Sequence, residues 1–240
     1  MIYYNYYLEI KYRFSLIVFT WLSISFTCYF YREVLIFEII DLTNYVGFSK
    51  TNPYFIFSDI TDIFSISVIL SCFVSNQICF FLFLYHFLVF LSPGLYSKEY
   101  YNFFNILKIS FVYWIIAILF LNYVLFPSIW IFYLNFQEQI NLSSIEIFFE
   151  ANIKEYFIHY INLYYFCVIN FQLSFLVLFV STKFFIRPKQ VKNTRKLFYF
   201  VLFVLSSVVS PLDIFSQLLL TICSIFLYEF AIFYRILNKF

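Results

Sequence analysis

The sequence predicts an all-α integral membrane protein with six transmembrane helices. Three observations lead there: a composition too apolar for a solvated surface, five long stretches without a formal charge, and a sorting of the remaining charges into a basic and an acidic set. Of 240 residues, 64% are hydrophobic and only 12% are charged, about half the charged share of an ordinary soluble domain. Mean hydropathy is +0.88. In hydrocarbon the backbone must satisfy its own hydrogen bonds, so only helices or closed barrels cross a bilayer. The apolar runs lack the period-two alternation of barrel strands, which leaves helices.

The charge-free stretches are 14–31, 63–97, 109–137, 156–182 and 197–229, the last interrupted by Asp213. A span needs about 20 apolar residues, and the first four stretches predict spans over about 14–31, 63–90, 109–134 and 156–182. Nothing before Lys11 resembles a cleavable signal, so the first span reads as a retained anchor. The fifth stretch would be about 48 Å long as one helix, well beyond a hydrocarbon core of about 30 Å. Ser210-Pro211-Leu212-Asp213 supplies the break, because Pro lacks an N–H and Asp is costly at mid-membrane. Two short helices follow, 197–210 and 214–228, beside which the bilayer should thin.

Six spans put both termini on one side, and charge tests that count independently. One side collects twelve Lys and Arg, from Lys11 and Arg13 through the run between Lys183 and Lys196 to Lys239, against Glu9, Glu99 and Glu229. The other holds Arg32, Lys50 and Lys154 against ten acids, among them Asp59, Asp62 and Asp213. The two sets carry +9 and −7 and together recover the chain's +2. The positive-inside rule then places both termini on the matrix or cytoplasmic side. The basic run 183–196 reads as a topogenic loop at an anionic surface.

Little in the chain carries covalent chemistry. Five cysteines are scattered in apolar runs without metal or redox spacing, and two glycines leave no room for a Gly-rich phosphate loop. No cofactor, metal or nucleic-acid partner is indicated, and the chain does not read as an enzyme. His86 and His159 are the mid-span ionisable candidates, each read first as a polar side chain bonded inside the bundle. Glu9 and Glu99 stand near the membrane surface on a basic face. They either neutralise Lys11, Arg13 and Lys98 locally, or accept directional hydrogen bonds from guanidinium groups. Ser210, Asp213 and Gln217 form a second set. Ser210 and Gln217 can bond a polar group on another membrane helix, while Asp213 can cap the helix that follows. Asn170 and Gln172 need partners in the bundle or in a watered concavity.

These residues also form an ordered pattern. Phe90-Leu-Ser-Pro-Gly-Leu-Tyr-Ser-Lys-Glu99 resembles F-x-[AS]-P-[AG]-L-Y-x-x-E of TatC, the multispanning subunit of the twin-arginine protein translocase. Ser210-Pro-Leu-Asp-Ile-Phe-Ser-Gln217, with Leu-Tyr-Glu229 after it, is similar to the family's T-P-P-D-x-x-S-Q…L-Y-E. Leu8-Glu-Ile-Lys-Tyr-Arg13 is a weaker likeness to H-L-x-E-L-R-x-R. The resemblance covers the whole chain as one domain, 1–240. Lys11 stands for the first Arg of R-x-R, Leu212 for the second Pro of T-P-P-D, and Asn170-Phe-Gln172 lies where the family has Phe-Glu. A hydrogen-bonding role carries over to Gln172, whereas a charge-based one does not.

The resemblance implies a concave bundle of six helices acting as receptor and core of a translocase that moves folded proteins across an energised membrane, driven by the proton-motive force. Glu9, Lys11, Arg13, Phe90 and Glu99 would bind twin-arginine signal peptides. Ser210, Asp213 and Gln217 would meet single-spanning TatA-like or TatB-like helices, and Gln172 would be an intramembrane polar contact. Clients would be folded proteins bearing such signals, an iron–sulfur protein among the candidates, and self-association is a further possibility. The alternative is a hydrophobic structural subunit of a respiratory-chain complex, whose mark would be buried charges along an ion path. The 39 Phe and 23 Tyr follow A/T-rich codons and point to an organellar genome. A mitochondrial inner membrane fits best, with a plastid thylakoid or bacterial plasma membrane as alternatives.

Overall fold

The computed structural model describes residues 2–44, 55–140, 152–184, 188–209 and 214–237. Eight α-helices follow one another among them: α1 (Ile2–Phe30), α2 (Arg32–Asn44), α3 (Asp62–Leu91), α4 (Ser97–Phe120), α5 (Phe126–Ile140), α6 (Ile153–Phe184), α7 (Pro188–Val209) and α8 (Ile214–Leu237). The described residues hold no β-strand, only an isolated bridge between Ile56 and Asn152. Among the described residues, three stretches are fit by length and composition to cross a membrane, Tyr6–Phe30, Asp62–Gly94 and Ser97–Tyr133, and Ile214–Phe230 is a shorter apolar helix. The Ser210–Asp213 break lies outside the described residues.

The chain forms two compact units, Met1–Lys108 with Glu150–Phe157, and Ile109–Phe149 with Ile158–Phe240. In the first, α1 packs along α3. Trp21 Nε1 donates to Asn76 Oδ1 at 2.8 Å, and Tyr29 meets Phe64 edge to face. The helix α1 is interrupted only at Tyr31, after which α2 continues for thirteen residues. Sequence reading named no helix there, because Arg32, Glu33, Glu38 and Asp41 take it out of the charge-free stretches.

The first unit also holds a buried ion pair. The Asp62 carboxylate, fully buried at the start of α3, lies 3.2 Å from Lys154 Nζ at the start of α6. Its Oδ2 accepts hydrogen bonds from Ser58 Oγ and the Asp59 backbone N–H. Asn152 Nδ2 donates to Ser58 Oγ, and Tyr156 Oη donates to the Ile39 carbonyl. A buried carboxylate is tolerated only when charge and hydrogen bonds compensate its lost hydration, and this one has both.

In the second unit α4 continues through a π-helical turn, Leu121–Leu125, into α5. The cause lies just downstream: Pro127 has no N–H for the carbonyl four residues back, and a π-turn absorbs the mismatch without ending the helix. The turn also presents Asn122, whose Oδ1 accepts from Tyr160 Oη at 2.9 Å. Trp114 Nε1 donates to Tyr164 Oη at 2.8 Å, and Phe132 stacks on Phe215 with ring centres 5.1 Å apart. The helix α7 begins at Pro188, where a missing N–H costs nothing. Phe198, Leu202, Tyr228 and Ile232 form a cluster between α7 and α8.

Close helix packing in lipid favours small side chains, yet the chain has two Gly and three Ala. Serine fills that place. Ser67, Ser71 and Ser75 line the buried face of α3, and Ser216 and Ser224 that of α8. Where the partner is visible, each hydroxyl bonds a carbonyl three or four residues earlier, so a small polar group is buried without being orphaned.

Candidate functional site

The residues expected to bind a signal fall in the first unit. Glu9 and Arg13 are one turn apart on α1, and the Glu9 Oε1 accepts from both Arg13 Nε, at 3.0 Å, and Arg13 Nη2, at 2.6 Å. The pair is half-buried. Arg13 lines a groove of about 250 Å³ between α1 and α3 whose other walls are Ile10, Phe14, Ile17, Phe83, His86, Phe87 and Phe90. Phe90 also meets Tyr6 edge to face, ring centres 6.4 Å apart. The groove is almost wholly apolar because the helices present Ile and Phe one turn apart along it.

Lys11 is exposed and does not line the groove. Glu99 lies at the third position of α4, beyond the short Ser92–Gly94 turn. Its Oε2 accepts the Tyr96 N–H at 3.1 Å, the backward half of a capping box. The Tyr-x-x-Glu spacing is therefore also a helix start, and Glu99 remains exposed with an oxygen to spare. Glu9, Arg13 and Phe90 thus come together, whereas Lys11 and Glu99 stand apart from the groove.

In the second unit Gln172 is bonded twice to one residue. Ser110 Oγ donates to Gln172 Oε1 at 2.7 Å, and Gln172 Nε2 donates to the Ser110 carbonyl at 3.0 Å. The amide uses a donor and an acceptor at once, tying α6 to α4. Asn170 is fully buried and its Nδ2 donates to the Leu220 carbonyl at 3.4 Å. Gln217 is half-buried near the start of α8, while Ser210 and Asp213 lie outside the described residues. Glu229 accepts from Tyr199 Oη and lies 3.5 Å from Arg195 Nη2, so the last acid of the basic set links α7 to α8. Among the described residues no group of three His, Cys, Asp or Glu is arranged to hold a metal.

Sequence reasoning missed the groove and the Asp62–Lys154 pair. In the sequence Asp59 and Asp62 count only towards the acidic set, and their place before an apolar run is the available signal for a helix start.

The model of the family described as Sec-independent protein translocase protein (TatC) matches residues 6–222. The chain belongs to the TatC family. A relative described as an uncharacterized tatC-like protein, ymf16, from Reclinomonas americana is 31% identical over 232 residues, spanning 94% of this chain and 84% of the relative. The protein of the same description from Nephroselmis olivacea is 28% identical over 235 residues, with 94% and 90% spanned. The Sec-independent protein translocase protein TatC of Rickettsia prowazekii is 27% identical over 226 residues, with 94% and 88% spanned.

The fold matches a crystal structure of the twin arginine translocase receptor TatC with a TM-score of 0.64 at 22% identity, covering 95% of this chain and 96% of the other. A structure of such a receptor in DDM gives 0.65 at 24%, with 95% and 98% covered. The chain therefore has the TatC fold, is a multi-pass membrane protein and belongs to a family of translocase components rather than enzymes. Membership displaces the respiratory-subunit reading.

Proposed function

We propose that this TatC protein is the receptor and core subunit of a twin-arginine translocase, capturing twin-arginine signals and passing folded proteins across an energised membrane at the expense of the proton-motive force. The observation that supports this best is the Glu9 carboxylate, which already holds a guanidinium by two N–H donors beside an apolar groove. The same chemistry suits an incoming arginine followed by apolar chain. Glu9 and Glu99 grip the guanidinium groups, Arg13 orients Glu9, Phe90 walls the groove, and Lys11 adds to a basic field in which only a directional cation gains.

The reading includes one six-span domain over 1–240, short apolar fifth and sixth spans, and both termini on the matrix side of a mitochondrial inner membrane. Charge segregation and the Phe- and Tyr-rich composition support these assignments. Ser210, Asp213 and Gln217 recruit TatA-like or TatB-like single-span partners. Gln172 serves as a hydrogen-bonding staple and not as a charge.

Affinity purification of the tagged protein from gently solubilised membranes, followed by mass spectrometry, tests the proposal. The expected result is a small single-span partner and a folded client with paired arginines near its N-terminus. Stoichiometric recovery of respiratory-complex subunits instead would contradict it.

A further inference from the structure

Asn76 lies deep in α3 and still exposes its amide. It is fourteen residues from one end of the Asp62–Gly94 stretch and eighteen from the other, about 21 and 27 Å of helix. A hydrocarbon core of about 30 Å therefore leaves it near mid-depth. The side chain is exposed, and its Oδ1 accepts from Trp21 Nε1 of α1 at 2.8 Å. An amide also carries two N–H donors, and here Nδ2 has no partner among the described residues. Phe80, one turn further along α3, is exposed, as is Leu22 next to Trp21. The α1–α3 seam thus presents a pair of hydrogen-bond donors set among apolar side chains. The groove lined by Arg13 ends at Ile17 and Phe83, one turn of α1 and two turns of α3 short of this pair.

Hydrocarbon offers those donors nothing. Lipid ester and phosphate oxygens lie at the interface, about 15 Å from mid-depth, and an unmet amide in an apolar medium is costly. Trp21 fixes what is missing: with Oδ1 already engaged by a donor, the amide needs an acceptor. The backbone of a neighbouring membrane helix cannot supply one, because its carbonyls are bonded within the helix, so the acceptor belongs to a side chain. A second copy of this chain brings an Asn76 whose oxygen is held by its own Trp21, which makes it the poorer match. We infer that the seam around Trp21 and Asn76 is a docking face for a transmembrane helix of another protein, one that carries a side-chain amide or carboxyl oxygen near its middle. The residues involved are separate from Gln217 on α8, and the inference does not depend on the signal-binding role of Glu9.

The test uses the full chain, labelled with a fluorescent donor and reconstituted in phosphatidylcholine vesicles, and synthetic Lys-flanked poly-Leu transmembrane peptides carrying an energy-transfer acceptor. One peptide has a single Gln at its centre, two have the Gln moved two turns towards either end, and one has no Gln. The peptides are kept dilute in the bilayer so that they do not pair with one another. Association with the central-Gln peptide should be about three- to tenfold tighter than with the all-Leu peptide, and moving the Gln should remove the gain. Asn76→Leu should abolish the gain, whereas Asn76→Gln, which keeps the amide, should retain at least half of it. The depth series needs only the parent chain, so the test survives a failure of either variant to fold.

The inference is overturned if Gln gives no gain at any depth, if the gain is the same at every depth, or if it persists undiminished in Asn76→Leu. It is also overturned if, in vesicles without peptide, energy transfer between donor- and acceptor-labelled copies of the chain is strong and is lost in Asn76→Leu, since the face then belongs to a second copy.

Discussion

Arg13 and Glu9 share a single carboxylate oxygen: both the Nε and the Nη2 of the guanidinium reach Glu9 Oε1, at 3.0 and 2.6 Å. The i, i+4 spacing on α1 permits this, and the side-on approach leaves Oε2 without a partner among the described residues. A half-buried i, i+4 pair of this kind, still open to solvent, stabilises a helix by only about 0.3–0.5 kcal/mol. Its consequence is orientation rather than stability. Glu9 is held in one rotamer beside the groove, and a second guanidinium can bond it without displacing the first.

Arg13→Lys keeps the charge but loses the planar fork. Capture of an Arg-Arg peptide should weaken by about two- to fivefold, with a Tm change of no more than about 2 °C. Fluorescence anisotropy with a labelled peptide measures the first and a thermal melt in detergent the second. Unchanged affinity would reduce Arg13 to surface charge.

The motif resemblance aligns Gln172 with a Glu of the TatC family. Here the amide donates to the Ser110 carbonyl, which a carboxylate cannot do. Gln172→Leu should cost about 1–2 kcal/mol for the lost interhelical bonds. Gln172→Glu should cost more, because about 2.5–3.5 kcal/mol of intramembrane charge is added at a helix centre. Melting temperatures in detergent decide the order; equal stability of Gln172→Glu and the parent would show that this site is watered.

Lys154 compensates a carboxylate with no solvent exposure of its own. Lys154→Met should lower Tm clearly, and Asp62→Asn combined with it should recover part of the loss, since removing both charges is cheaper than stranding one. A double variant that melts as low as or lower than Lys154→Met would indicate that Asp62 is held by Ser58 and the Asp59 N–H alone.

Gln217→Leu removes the amide proposed to meet a partner helix. Crosslinking of a single-span partner should fall about three- to twentyfold while peptide capture stays unchanged. A normal crosslink yield would remove Gln217 from the partner surface.

The helical class was legible because burial in lipid leaves composition and length as the dominant signals, and no tertiary contact can override them. The boundaries of α1 and α2 were less so. Helix α1 begins at Ile2 and runs through Glu9, Lys11 and Arg13, since charged residues propagate a helix as well as apolar ones do, and a rule that marks charge-free runs stops where charge begins. The π-turn at 121–125 follows from Pro127, a local cue, yet its use in presenting Asn122 to Tyr160 depends on α6. The same holds at the site. Glu9, Phe90 and Glu99 could be picked out one by one, but the groove belongs to the pairing of α1 with α3, whose facing residues lie far apart in the chain and beyond any local pattern. That Glu99 caps its own helix was readable from the Tyr96-to-Glu99 spacing.

Carboxylates on α1 and α4 are proposed to recognise paired guanidinium groups. The most direct test is the affinity of the purified protein, and of Glu9→Ala and Glu99→Ala, for a labelled Arg-Arg signal peptide against its Lys-Lys twin. The parent should prefer Arg-Arg by about tenfold or more, and each variant should lose most of that preference. Equal affinity of the parent for both peptides, or an equal loss of both in the variants, would contradict that proposal and leave only a general attraction between charges.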